Sequence, residues 1–121
     1  MGADYKIADY SQITDYLKKL DEASDRVQMQ QIGTSVLGRP LYVLFISSEE
    51  NLRQLDRWKE ISTKLARARI SDEEAQQLSG EGKAIVWIDG GIHSTERAAT
   101  QFPPELAYMV ATEETAEMKK L

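Results

Sequence analysis

The sequence predicts an α/β chain: three layers, α/β/α, around a mixed sheet made of an antiparallel hairpin over residues 27–47 and a central strand over 84–89. Residues 41–46 read Leu-Tyr-Val-Leu-Phe-Ile, and residues 84–88 read Ala-Ile-Val-Trp-Ile, two runs without a polar face and rich in strand formers. Between and around them, apolar residues recur at intervals of three and four, the stripe of helices packed on a sheet.

Taken in order, Tyr10, Ile13, Tyr16, Leu17 and Leu20 predict an amphipathic helix over 10–20, followed by a polar turn at 21–25. Residues 27–32 alternate in the manner of a strand near a sheet edge. Gly33 and Gly38-Arg39-Pro40 then supply the backbone freedom and the fixed re-entry for a hairpin into 41–46. Arg39 is read as part of that turn. Ser47 and Glu50 have capping-box spacing before Leu52, Leu55, Trp58, Ile61 and Leu65, which predicts one long helix to about Arg69. Ser71 and Glu74 repeat the spacing ahead of a short helix to Leu78, closed by Gly80-Glu81-Gly82. Trp58 and Trp87 are read as core aromatics.

After the run at 84–88 comes Asp89-Gly90-Gly91-Ile92-His93. Adjacent glycines let the chain turn sharply at the carboxyl end of a strand, where open α/β sheets assemble their sites. Beyond Glu96, Ala98, Ala99, Phe102, Leu106, Met109 and Val110 predict a helix on the sheet. Pro103-Pro104 predicts a kink in it, or a new helix starting at Pro103. Thr112 is expected to cap a last short helix through Lys120.

Composition narrows the function classes. With 15 Lys and Arg against 20 Asp and Glu, the net charge is −5 and the basic residues are scattered, so nucleic acid is not expected as a partner. The apolar runs are too short to span a bilayer. There is no cysteine, so a metal would be held by imidazole and carboxylate. The start, Met1-Gly2-Ala3-Asp4-Tyr5, has neither the basic cluster nor the apolar core of a signal peptide, and the compartment is left open.

His93 is the only histidine, and Glu96 follows three residues later. That interval brings an imidazole and a carboxylate to one side of a helical turn, where they could share a zinc ion or simply hydrogen-bond to each other. Spacing alone leaves both open. Ser94 has no second histidine to activate it, which argues against a serine hydrolase. A single Gly-Gly pair without further spaced glycines or a lysine does not make a phosphate loop.

Gly33-Thr34-Ser35-Val36-Leu37-Gly38-Arg39-Pro40-Leu41, followed by Ile85-Val86-Trp87-Ile88-Asp89-Gly90-Gly91-Ile92-His93-Ser94-Thr95-Glu96, resembles the start of the zinc carboxypeptidases related to carboxypeptidases A and B, and bacterial members most. Ser94-Thr95 in place of Gly-Asp or Gly-Asn is similar to the peptidase branch rather than to the related deacylases. The resemblance implies that residues 1–121 are the amino-terminal part of a catalytic domain with a truncated carboxypeptidase-like fold. It further implies peptide or protein substrates cut at the carboxyl end, one Zn²⁺, and His93 and Glu96 as two of its ligands. A third histidine ligand, the glutamate general base and the groups that grip the terminal carboxylate are expected downstream, so this chain alone should be inactive. Classical members carry arginine directly before the ligand glutamate; here Thr95 stands there and Arg97 follows, a candidate substrate contact. Asp89 is a candidate second carboxylate orienting His93. A truncated sheet would expose strand edges, so self-association through them is the competing, non-catalytic expectation.

Overall fold

A computed structural model describes residues 5–118. The order of elements is α1 (Tyr10–Ala23), β1 (Val27–Thr34), β2 (Pro40–Ile46), α2 (Glu49–Arg53), α3 (Leu55–Arg67), α4 (Asp72–Glu81) and α5 (Arg97–Thr112). The mixture of helix and sheet matches the expected class. The chain divides into two compact units, one of the residues up to Leu52 together with those from Asp89 onward, the other Arg53–Ile88.

In the first unit β1 and β2 form the antiparallel hairpin, paired from Val27 with Ile46 to Thr34 with Pro40. The turn follows from its residues. Gly38 donates its N–H to the Ser35 carbonyl (2.9 Å) and Ser35 donates to Arg39 (2.8 Å), while Gly38 sits at φ +75°, the left-handed geometry of a bulged hairpin turn. The register slips between Gln31 and Gly33, which leaves Ile32 exposed. The Arg39 guanidinium lies 5.4 Å from the Tyr10 ring centroid, and the Tyr10 hydroxyl donates to Pro40 O at 2.7 Å, so Arg39 belongs to the turn as expected.

α1 starts on a capping box: Asp9 Oδ1 accepts from Gln12 N (2.9 Å) and Gln12 Oε1 accepts from Asp9 N (3.0 Å). It runs into the expected polar turn, ending at Ala23, and Asp21 Oδ1 accepts the backbone N–H of Met29 on β1 (2.9 Å). The core joins Leu20 of α1, Val27 of β1 and Ala107 and Ala111 of α5, with Leu17, Leu44 and Ile46 packed around them. Val27, Leu44 and Ile46 share one face of the hairpin, so α1 and α5 both cover that face.

α5 departs from expectation. It is one continuous helix with Pro103 and Pro104 inside it, where each proline removes an N–H and costs about 3 kcal/mol in a helix interior. Pro104, Ala107 and Ala111 are buried at intervals of three and four, so packing beyond the prolines holds the helix that propensity alone would break. The buried face is therefore built on small residues rather than on Phe102 and Met109, which are exposed. Among the described residues Thr112 caps no following helix: it is the last residue of α5 and its hydroxyl donates to Tyr108 O at 2.8 Å. The expected end at Lys120 lies outside the described residues.

In the second unit α3 and α4 pack through Ile61 and Leu78, the buried residues of the pair. Arg57 grips Glu81 with two hydrogen bonds of 2.7 Å and reaches Glu60 at 3.1 Å, and Lys64 meets Glu60 (3.3 Å) and Glu74 (3.4 Å). Ser71 accepts from Glu74 N at 3.2 Å, the predicted cap. The one long helix expected before it is two, interrupted at Gln54, and its cap is Ser48, whose hydroxyl accepts from Asn51 N (3.3 Å), rather than Ser47.

The expected central strand at 84–89 does not form. Among the described residues the sheet has only β1 and β2, and residues 84–88 enter no ladder. Strand propensity describes a side-chain surface, but a strand exists only through hydrogen bonds to a neighbour, and no described segment supplies one. The three layers therefore do not assemble around a third strand, and Trp87, 67% exposed, is not a core aromatic. Trp58 is half-buried under the Lys83 ammonium, 5.5 Å from its ring centroid.

Candidate metal-ligand pair

Residues 89–96 lead into α5, and their path is set by two glycines. A Cβ on Gly90 would overlap the Ala99 carbonyl oxygen and stand 2.8 Å from Phe102 Cε1 and 3.2 Å from Pro103 Cγ. Ala99 O is the carbonyl that Pro103, lacking an N–H, leaves without its helical donor, so the turn lies against the defect in the helix. Gly91 has φ +76°, and a Cβ there would overlap the Thr100 methyl. Both positions require glycine, for close approach in one case and for backbone conformation as well in the other. Thr100 was not singled out by sequence, and nothing in its spacing marks it.

The turn then closes on itself: Glu96 N–H donates to His93 O (3.0 Å) and Arg97 N–H to Thr95 O (3.0 Å), and α5 begins. Glu96 occupies the position before the helix, where a carboxylate usually accepts a backbone N–H of the first turn. It makes no such cap. Its carboxylate reaches back instead, with Oε1 2.6 Å from His93 Nδ1 and Oε2 accepting the His93 N–H at 3.4 Å. Helix-start geometry thus converts the interval of three into a direct meeting of side chains, as the sequence anticipated. The imidazole is 72% and the carboxylate 41% exposed, so the pair is open to solvent.

As it stands this is a hydrogen-bonded pair of imidazole and carboxylate. The donor chemistry also suits zinc, since imidazole nitrogen and carboxylate oxygen are both zinc-ligand types. Two donors do not complete a site, and among the described residues no group of three or more His, Asp or Glu side chains could hold a metal. The residues present fit two ligand positions.

The other candidates are not gathered in. Asp89 makes no hydrogen bond to His93, whose Nδ1 is already engaged by Glu96. Arg97, first residue of α5, is exposed and forms no ion pair with Glu96, one residue before it. What sequence reasoning did not reach is the tie between α5 and the start of the chain: Gln101 Oε1 accepts from Ala8 N (2.8 Å) and Gln101 Nε2 donates to Ala8 O (3.1 Å).

A family model, that of the zinc carboxypeptidases, matches residues 13–121. Searches of curated proteins and of solved structures return no match.

Proposed function

The chain belongs to the zinc carboxypeptidase family, and from that premise we propose that it forms part of a metallocarboxypeptidase, with His93 and Glu96 as two protein ligands of its zinc ion. The observation that carries the assignment of the pair is the 2.6 Å approach of His93 Nδ1 to Glu96 Oε1 at the start of α5. Zinc, when bound, supplies polarisation of a scissile carbonyl and a lowered pKa for bound water.

This chain's residues contribute position. The Gly90-Gly91 turn and α5 fix where imidazole and carboxylate meet. Glu96, committed as a ligand, is not the general base; that base and the third donor come from outside the described residues, and the chain by itself is inactive. Arg97 in this reading offers its guanidinium to a peptide carboxylate.

His93 is the sole histidine, so its ring resonances are unique in an NMR spectrum of the whole chain. Titration with zinc is expected to shift them. Glu96→Gln, which removes a charged ligand, is expected to weaken binding by at least about tenfold, the lower bound for losing even a group that only supports a ligand. A ring indifferent to zinc, or one that binds equally well in Glu96→Gln, refutes the pair as ligands. Robust peptide hydrolysis by the purified chain, abolished by His93→Ala, refutes the missing base and third donor.

A further inference from the structure

Pro103 and Pro104 are neighbours in α5 with different surroundings. Pro104 is buried on the same face as Ala107 and Ala111, so core packing accounts for it. Pro103 is half-buried, and its ring borders the turn ahead of the helix: a Cβ built on Gly90 would stand 3.2 Å from Pro103 Cγ, 2.8 Å from Phe102 Cε1 and in overlap with Ala99 O. The chain thus comes as close to α5 at Gly90 as a residue without a side chain can.

In an ordinary helix the N–H of residue 103 would bond Ala99 O and keep it in the ladder. Proline has no N–H, and its ring crowds the carbonyl four residues back, so Ala99 O lacks that bond. The Gly90 methylene lies against this oxygen, a Cα–H to carbonyl contact of the kind that recurs where backbones pack closely. Gly90 stands three residues before His93, and Glu96 stands directly before α5. The helix therefore holds both members of the pair, Glu96 by its own first turn and His93 through the seat of Gly90. We propose that Pro103 is a positioning residue for the His93–Glu96 pair: it keeps Ala99 O out of the helix ladder and walls the seat of Gly90, so that α5 carries imidazole and carboxylate in one frame. Its meaning for metal binding rests on the zinc reading above; its meaning for the geometry of the pair does not.

The test sets stability against metal binding in the whole chain. Pro103→Ala restores the N–H that Ala99 O lacks and puts the best helix former in place of the worst, so the thermal midpoint is expected to rise. Zinc binding, read from the His93 ring resonances, is expected to weaken about threefold to tenfold, below the loss for a group bonded directly to a ligand. A residue that merely shaped the helix would move both quantities the same way. Pro104→Ala makes the same chemical change one position on. Thr100, whose carbonyl it would serve, meets Gly91 through its side chain and N–H instead, so zinc binding is expected to match the parent's. Pro103→Ala and Gly90→Ala break one contact from its two sides, so the double variant is expected to bind zinc as well as the weaker single one. In the metal-free chain a cross-relaxation peak between the Gly90 α-protons and the Phe102 ring is expected, and in Pro103→Ala it is expected to vanish while the His93 ring resonances move. A parent ring indifferent to zinc refutes the ligand pair alone, and the metal-free peak then decides the seat. Unchanged zinc affinity in Pro103→Ala beside a parent that binds, stability and affinity falling together, an equal loss in Pro104→Ala, additive losses in the double variant, or a Gly90–Phe102 peak that survives in Pro103→Ala each overturns the proposal.

Discussion

Ile61 is 1% exposed and is the largest fully buried side chain among the described residues, so the stability of the Arg53–Ile88 unit turns on it. Its Cγ2 packs beside Gly82, where an added Cβ would stand 3.0 Å away, at the end of α4. Ile61→Ala removes three carbons, worth about 0.8 kcal/mol each in transfer, or about 2.4 kcal/mol. A residual cavity adds to this, and the better helix propensity of alanine returns about 0.4 kcal/mol. The net destabilisation is about 2–4 kcal/mol, a large share of what a two-helix unit can possess. Ile61→Val, at about 0.5–1.5 kcal/mol, keeps the measurement in range if the alanine variant is unfolded from the outset. The protein supplies its own reporter: Trp58 and Trp87 are its only tryptophans and both lie in this unit. Urea unfolding followed by tryptophan fluorescence reads this unit, whereas circular dichroism reads helices of both. The expected result is a lowered fluorescence midpoint in the order alanine, valine, parent. An alanine variant within about 1 kcal/mol of the parent refutes the assignment of Ile61 as the keystone of the pair.

Three further predictions follow the same physical lines. Gly90→Ala drives a methyl group into the Ala99 carbonyl and is expected either to destabilise by about 1–3 kcal/mol or to lift the turn off α5; in both cases the His93 ring resonances move, and an unchanged spectrum counts against the close approach. Asp9→Ala removes one half of the α1 capping box and is expected to lower stability by about 0.5–2 kcal/mol in thermal unfolding, with Asp9→Asn retaining most of it. Hydrogen bonds from Arg57 hold the Glu60 and Glu81 carboxyls below their usual 4.5, so their stabilisation is fully present above that value and is lost as pH falls through the lowered one. Because these groups are exposed, the acid shift of the fluorescence midpoint is small, shrinks with added salt and is reduced in Arg57→Ala, where Lys64 still holds Glu60.

The local parts of the fold were legible. Gly38 before Arg39-Pro40 announced the hairpin, Ser71 with Glu74 announced a cap, and the stripe through Ile13, Leu17 and Leu20 announced the face that α1 buries, because each signal acts over a few residues. What failed depended on partners distant in sequence. The run at 84–88 has every strand-forming side chain and no strand beside it. Pro103 and Pro104 weigh against a helix until the burial of Pro104, Ala107 and Ala111 is known, and alanine carries no hydrophobic signal strong enough to reveal that face. The convergence of His93 and Glu96 was legible from their interval, but the docking of Gly90 on Ala99 that sets the turn was not, since two glycines advertise freedom rather than the surface they meet.

The Gln101 amide engages both backbone groups of Ala8, bridging 93 positions of chain, as a neighbouring strand's peptide group would. A single side chain thereby latches the front of the polypeptide to the helix whose first residue follows Glu96. The isotope-exchange lifetime of the Ala8 amide hydrogen is consequently a clock for α5: each transient detachment of that helix from the segment opens the latch and lets deuterium in.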